Sequence, residues 1–143
     1  SSAKAIELTN KNIEINFPDD KRHAAFCEDA FKYLDDNEGK YDLIILDPPA
    51  FAKHRQALKN GLRGYTRLNV KGFEKIRSGG ILFTFSCSQV VTKDNFRQAV
   101  FTAAAQAGRK VRILHQLHQP ADHPINIYHP EGEYLKGLVL YVE

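Results

Sequence analysis

The most constraining feature of the sequence is a run of apolar residues that does not alternate with polar ones. The run Tyr41-Asp42-Leu43-Ile44-Ile45-Leu46-Asp47 is followed by two prolines, and residues 81–85 form a second such run. Runs of this kind are typical of parallel strands that are buried on both faces. The prolines end the first strand because they cannot donate to its ladder of hydrogen bonds. The sequence therefore predicts a sheet with helices on both faces.

The rest of the sequence alternates between helical and strand patterns. Helices are predicted at residues 1–12, 29–36, 65–77 and 93–107, strands at 23–27, 41–47, 81–85, 111–117 and 138–142, and a turn at 78–80. Strands that alternate with helices predict an α/β fold with a parallel, doubly wound sheet, closed by an antiparallel strand at its C-terminal edge. A length of 143 residues predicts one domain.

Composition excludes several classes of protein. Two cysteines sixty positions apart, Cys27 and Cys87, cannot form a disulfide framework, which favours the reducing cytoplasm. No apolar run approaches the roughly 20 residues that span a bilayer, so no membrane association is expected. His115 and His118 are three apart on a predicted strand and face opposite sides of it, so we expect no metal site.

Reactive side chains follow three of the predicted strands. They belong to Glu28-Asp29, Asp47-Pro48-Pro49 and Ser86-Cys87-Ser88. Open α/β sheets bind ligands at the carboxyl ends of their strands. If the strands ending at Asp47 and Cys87 are neighbours, the usual spacing of ~4.8 Å brings a carboxylate and a thiol within reach of one planar ring. Either residue alone has an ordinary structural explanation, but together they predict a reactive site. Cys27 lies inside a predicted strand and is expected in the core.

Positive charge is concentrated in one segment. Residues 52–77 contain eight Lys and Arg residues and one Glu, whereas the net charge of the whole chain is only +3. Arg67, Lys71 and Lys75 recur every four residues and so form a stripe on one side of a helix. A stripe beside the strand ends fits a phosphate backbone, although a solvated helix face is the commoner explanation of such spacing. Phe51 either belongs to the core or stacks on a base.

The order of these motifs resembles one known family. The chain is similar to the bacterial large-subunit ribosomal RNA cytosine-5 methyltransferases that carry an N-terminal PUA domain, which are class I S-adenosylmethionine-dependent enzymes. The resemblance covers the whole chain, and it rests on Glu28-Asp29-Ala30-Phe31, Asp47-Pro48-Pro49-Ala50-Phe51, Arg63-Gly64-Tyr65 with Asn69, Ser86-Cys87-Ser88, Ala121-Asp122-His123-Pro124 and Tyr134-Leu135-Lys136-Gly137.

The resemblance implies a role for each matching residue. Cys87 is the expected nucleophile that adds to carbon 6 of cytosine, and Asp47 is expected to hold the protonated ring nitrogen N3. Asp29 corresponds to the residue that binds the adenine amino group of S-adenosylmethionine, while Asp47 and Pro48 border its methionine end. The residues expected to receive ribosomal RNA are Phe51, Lys53, Arg55, Arg63, Arg67 and Lys71.

One departure from the family concerns the cofactor. The glycine-rich turn of the first strand is absent, as are the first two strands and the PUA domain, so residues 1–143 are interpreted as the C-terminal portion of a methyltransferase domain that is inactive alone. The strand ending at Asp47 would then have an unpaired edge, which favours a homodimer or pairing with residues 23–27. Two alternatives remain open: methylation of a guanine nitrogen or uracil carbon 5, and a non-catalytic RNA-binding module.

Overall fold

The computed structural model describes residues 2–36 and 40–143, and the chain divides between residues 37 and 38 into two compact units. The first unit contains helices α1 (Ala3–Asn16) and α2 (Ala30–Asp36). Ser2 caps α1, because its hydroxyl accepts a hydrogen bond from the Ala5 amide at 3.3 Å. The Asp29 carboxylate does the same for α2, accepting from the amides of Phe31 and Lys32 at 3.0 and 3.2 Å. Both predicted helices are confirmed.

The predicted strand at residues 23–27 is wrong. These residues form no strand, and the alternative in which they pair with the strand ending at Asp47 is wrong as well. Phe26 is 54% exposed, and Cys27 is exposed instead of lying in the core. An apolar run becomes a strand only where a neighbouring strand satisfies its backbone N–H and C=O groups.

The second unit is built on a mixed sheet. Its strands, within residues 40–143, are β1 (Tyr41–Leu46), β2 (Ile76–Ser86), β3 (Val111–Leu117) and β4 (Lys136–Val142), in the order β1-β2-β4-β3. β1 and β2 are parallel, and β4 is antiparallel to both of its neighbours. The α/β fold class is therefore confirmed, but the antiparallel strand lies inside the sheet and β3 forms the edge. At the other edge, β1 pairs only with β2 among the described residues; dimerisation there stays a prediction.

Two boundaries differ from the predicted ones. Helix α3 (Leu58–Lys75) begins seven residues before the predicted start at Tyr65. The predicted turn at 78–80 lies inside β2 as an irregularity, where the pairing advances from Ile76 to Ile81 while β1 advances by only two residues. Gly79 adopts a φ of +83° there, which a residue with a side chain rarely adopts. Residues 78–80 therefore form a bulge within β2 and do not end the strand.

Helices α3 and α4 (Lys93–Gln106) cover one face of this sheet. Their buried side chains include Tyr65, Phe73 and Phe96, and Thr92 caps α4 by accepting a hydrogen bond from the Asn95 amide at 3.1 Å. On the opposite face of β1, Leu43 and Ile45 are 54% and 61% exposed. Within the described part of the chain, no helix is long and apolar enough to span a bilayer.

A single arginine ties together the ends of several elements. The Arg109 guanidinium donates to the carbonyls of Phe73 and Ile76 at 2.9 and 3.0 Å, and to the carbonyl of Glu143 at 3.2 Å. The first two carbonyls belong to the end of α3 and the start of β2, which lack partners within the helix. Arg109 therefore fastens the α3–β2 junction to the last residue of the chain.

We expect Arg109→Met to lower the free energy of unfolding by about 2 kcal/mol, because it leaves partly buried carbonyls without a charged donor. Arg112→Met is the matched control. Arg112 also contacts Glu143, at 2.6 Å, but its side chain is 74% exposed, so its removal should cost less than about 1 kcal/mol. Urea denaturation of both variants measures the difference; equal losses would contradict the role of Arg109.

Candidate active site

The pairing of β1 with β2 brings the two predicted reactive residues to the same edge of the sheet. Leu46 lies opposite Thr84 in the parallel register, so Asp47 follows β1 and Cys87 follows β2 at neighbouring carboxyl ends. The prediction that these two strands are neighbours is confirmed. Asp47 is exposed and Cys87 is partly exposed, so both can be reached from solvent. Their chemical roles stay predictions.

The two serines beside Cys87 hold its backbone in place. Ser86 and Ser88 are buried, with 0% and 1% of their surface exposed. The Ser88 hydroxyl donates to the carbonyl of Ala52, and the Ser88 amide donates to the Ser86 hydroxyl at 3.4 Å. This links the turn that carries Cys87 directly to the loop that begins at Asp47.

Three aromatic rings pack together where that loop meets helices α3 and α4. Phe51 packs on Tyr65 with ring centroids 4.8 Å apart, and Tyr65 meets Phe96 edge to face at 5.5 Å. The Tyr65 hydroxyl also lies 3.5 Å from the Phe51 amide and bonds to Ser86. Burial raises the pKa of Tyr65, so this phenol is neutral at physiological pH. Phe51 is therefore held against α3, with part of its ring still exposed.

Helix α3 approaches the loop so closely that only glycine fits. A Cβ at Gly61 would lie 2.6 Å from the Ala52 Cβ, and one at Gly64 would lie 3.0 Å from the Phe51 ring. The start of α3 and the Asp47–Ala52 loop are thus packed backbone against backbone.

A buried lysine contacts the turn from the other side. Lys136 is 6% exposed, and its ammonium donates to the carbonyls of Ser88 at 2.5 Å and Tyr134 at 2.7 Å. Burial lowers the pKa of Lys136, and the attraction of Cys87 and Glu133 partly opposes that shift. The buried ammonium group of Lys136 therefore lies against the turn that carries Cys87.

The connection from β3 to β4 is fastened to the same region. The Gln119 side chain donates to the carbonyl of Gly132 and accepts from the Leu135 amide at 3.3 Å. Gln89, just after the Cys87 turn, donates to the carbonyl of Glu131 at 3.0 Å. These hydrogen bonds therefore hold the end of the β3–β4 connection against the segment that follows Cys87.

The predicted basic stripe does not lie entirely beside the strand ends. The first and last residues of the stripe, Arg67 and Lys75, are eight positions apart on α3, a rise of about 12 Å. The C-terminal end of α3 lies near the beginning of β1, where Lys40 contacts the Glu74 carbonyl and Arg77 pairs with Asp42 at 2.8 Å. Because α3 runs antiparallel to β1, its basic residues extend from the carboxyl end of β1 towards the beginning of that strand.

The predicted RNA-binding residues consequently divide into two groups. Lys53, Arg55 and Arg63 belong to the loop after Phe51 and the first turns of α3, at the carboxyl edge. Arg67 lies in the groove between α3 and α4, and Lys71 is ion-paired with Glu74 at 3.1 Å. The contribution of Lys71 to RNA binding stays a prediction.

Several residues of the site had no role assigned from the sequence. Tyr65 and Lys136 belong to motifs of the family resemblance, but nothing in their spacing shows that they meet the Cys87 turn. Asp29 belongs to the first unit, where it caps α2; its role in cofactor binding stays a prediction. Among residues 2–36 and 40–143, no three His, Cys, Asp or Glu side chains cluster in a way that could hold a metal ion.

Comparison with solved structures defines the class of fold. The chain matches a methyltransferase complexed with SAH with a TM-score of 0.81 at 22% identity, covering 97% of this chain and 37% of that one. A SAM-dependent methyltransferase from Streptococcus mutans gives 0.80 at 21%, and Trm5b from Pyrococcus abyssi gives 0.63 at 17%; they are covered over 36% and 34% of their lengths. Over the part of these proteins that it matches, the chain has the fold of the S-adenosylmethionine-dependent methyltransferases.

Sequence comparison narrows the relationship further. The chain is homologous over 99% of its length to proteins named ribosomal RNA large subunit methyltransferase I, with 42% identity to that of Alteromonas mediterranea and 38% to that of Escherichia coli. It spans about a third of the length of these curated relatives. No protein-family model matches the chain.

The contact between α3 and the Asp47–Ala52 loop can be tested with alanine. We expect Gly61→Ala to lower the free energy of unfolding by about 2 kcal/mol, because the new methyl group collides with the Ala52 Cβ and backbone. In Gly132→Ala the nearest atom to the new Cβ is 3.9 Å away, so this control should be nearly neutral. Thermal unfolding compares the two variants, and a neutral Gly61→Ala would refute the close packing.

Proposed function

We propose that residues 1–143 are part of an S-adenosylmethionine-dependent methyltransferase domain that modifies ribosomal RNA of the large subunit at carbon 5 of cytosine. The observation that carries this proposal is the placement of Asp47 and Cys87 after neighbouring parallel strands. The names of the sequence relatives and the SAH-bound structural neighbour support the reaction class.

The cofactor site is only partly provided by this chain. The first glycine in this sequence is Gly39, so residues 1–28 contain no glycine-rich turn. In the first unit, the Asp29 carboxylate can accept a hydrogen bond from an adenine amino group. In the second unit, Asp47 with Pro48 can border a methionine group. Neither Pro48 nor Pro49 has an N–H to donate, so the hydrogen-bond ladder of β1 does not continue past Asp47. When bound, S-adenosylmethionine supplies an electrophilic methyl group.

Cytosine needs activation before it can accept that methyl group, because carbon 5 is a weak nucleophile. The Cys87 thiolate adds to carbon 6, which forms the S–C6 bond and moves the electron pair of the C5–C6 double bond to carbon 5. Carbon 5 would take the methyl group from S-adenosylmethionine, whose sulfur keeps the electron pair of the broken S–CH3 bond to give S-adenosylhomocysteine. Carbon 5 would then lose its proton to a base and keep the electron pair of that C–H bond. That electron pair restores the double bond and expels Cys87. A thiolate suits both addition and departure near neutral pH.

Asp47 stabilises the ring while Cys87 is attached. Addition at carbon 6 places negative charge on the pyrimidine, and protonation at N3 compensates it. The Asp47 carboxyl group holds that N3–H, so its contribution grows as the charge develops. Its position after β1 and that of Cys87 after β2 allow the two side chains to approach one ring from different sides.

The substrate base has to be unpaired or turned out of a helix, because its face is hidden inside a duplex. Lys53, Arg55 and Arg63, near the Asp47 loop, are suited to the phosphates on either side. The partly exposed edge of Phe51 is suited to a neighbouring base. This group of residues, at the carboxyl edge, is therefore the proposed RNA contact.

A covalent trap tests the nucleophile. In a chimera in which residues 1–143 replace the matching third of the Alteromonas mediterranea relative, we expect 5-fluorocytosine RNA to form a stable protein adduct in the presence of S-adenosylmethionine. The fluorine cannot leave as a proton does, so Cys87 stays attached. Cys87→Ala should abolish the adduct, whereas Cys27→Ala should retain it; denaturing gel electrophoresis measures both.

The same chimera separates the competing functions. Methyl transfer that survives Cys87→Ala would point to a guanine nitrogen and remove the proposed mechanism. RNA binding without methyl transfer or adduct in the unsubstituted chimera would support a non-catalytic RNA-binding module. An adduct with 5-fluorouracil RNA alone would assign uracil as the substrate.

The proposed RNA contact predicts that the positive charges at the two ends of residues 52–77 contribute differently to RNA binding. The double variant Lys53→Gln, Arg63→Gln should weaken binding of this chain to single-stranded RNA and reduce the slope of log affinity against log salt by about 1.4, at ~0.7 per lost phosphate contact. Lys75→Gln, Arg77→Gln removes the same charge near the start of β1 and should leave the slope nearly unchanged. Fluorescence anisotropy at several salt concentrations compares them; equal effects would show unspecific attraction.

A further inference from the structure

We propose that Lys136 is a positioning residue for Cys87, whose buried ammonium group fixes the Ser86–Ser88 turn and stabilises the thiolate form of the cysteine. This inference rests on the proposed function, in which Cys87 is the nucleophile. It concerns a residue for which the sequence pattern assigned no role.

The burial of Lys136 requires an explanation. Lysine is among the residues least often buried, because a charge loses its hydration in the interior. The two acceptors of the Lys136 ammonium, the carbonyls of Ser88 and Tyr134, are neutral dipoles. They satisfy two of its three N–H groups but provide no counter-charge, and Glu133, which attracts Lys136, is already ion-paired with Lys93. A thiolate at Cys87, the residue before Ser88, would provide a counter-charge.

The sheet register places the ammonium close to Cys87. Lys136 lies directly opposite Ser86 in the β2–β4 pair, and its side chain reaches past position 87 to the Ser88 carbonyl. The ammonium therefore contacts the backbone one residue after Cys87, while the backbone of Lys136 pairs with the residue before it. A positive charge beside a thiol favours the charged form of that thiol.

Other charged groups face the same region from the elements packed against it. Tyr65 on α3 is neutral at physiological pH, and Asp47 after β1 carries a negative charge that opposes a thiolate. Lys93 on α4 is ion-paired with Glu133, and His118 lies near Glu133. Because Glu133 balances the charge of Lys93, Lys136 is the cation best placed to act on Cys87.

Alkylation measures this effect without RNA or cofactor. In the chain with Cys27→Ser, only Cys87 reacts with iodoacetamide. Lys136→Gln keeps a hydrogen-bond donor for the Ser88 carbonyl but removes the charge. We expect its alkylation at pH 7 to be about tenfold slower and the pH midpoint of the rate to rise by about one unit. The rate ratio of anionic iodoacetate to neutral iodoacetamide should fall about threefold, which a purely structural role would not cause.

Lys93→Gln is the matched control, because it removes one positive charge from the same surface and should leave the midpoint and the ratio unchanged. An unchanged midpoint and ratio in folded Lys136→Gln would overturn the inference. If that variant does not fold, Cys87→Ser provides the reciprocal measurement by ¹³C NMR of lysine. Loss of the thiolate should lower the pKa of Lys136, whereas an unchanged value would overturn the inference. Failure of the RNA adduct with these shifts intact would count against the proposed reaction only.

Discussion

The parallel pairing of β1 with β2 is the constraint on which the site depends. It puts the ends of two apolar strands side by side, and each strand is followed by a residue that can do chemistry, Asp47 and Cys87. A one-residue shift in this register would turn the strand-end side chains to opposite faces. The hydrogen bond between Ser88 and the Ala52 carbonyl fastens the two turns to one another beyond the last paired residues.

The support beneath the site is mostly neutral and closely packed. The Phe51, Tyr65 and Phe96 rings and the glycines of α3 fix the Asp47 loop through shape, whereas Lys136 is the charged contact to the Cys87 turn. Packed interiors change shape little, so a turn supported in this way keeps its side chain in a narrow range of positions. Such rigidity suits a reaction in which one atom must add to a ring and later leave it.

The sequence predicted elements well where the local pattern and the tertiary environment agree. The apolar runs of β1 and β2 and the capped helix α4 were located to within a few residues. The start of α3 was missed because Asn60-Gly61 has weak helix propensity, and packing against Ala52 stabilises the helix there. The run at 23–27 has strand propensity, but a strand also depends on a partner far along the chain. The meeting of Lys136, Tyr65 and Ser88 depends on register and helix placement, and single-residue spacing does not encode either.

Arg109 stabilises the second unit at the edge of the sheet opposite the one that carries Asp47 and Cys87. Its carbonyl partners belong to the beginning of β2 and the end of β4, while Asp47 and Cys87 follow the opposite ends of β1 and β2. Distant sites that share no partner usually contribute independently to stability. Residues at the edge that carries Asp47 and Cys87 can therefore be exchanged, while the contacts of Arg109 at the opposite edge keep their contribution to the free energy of unfolding.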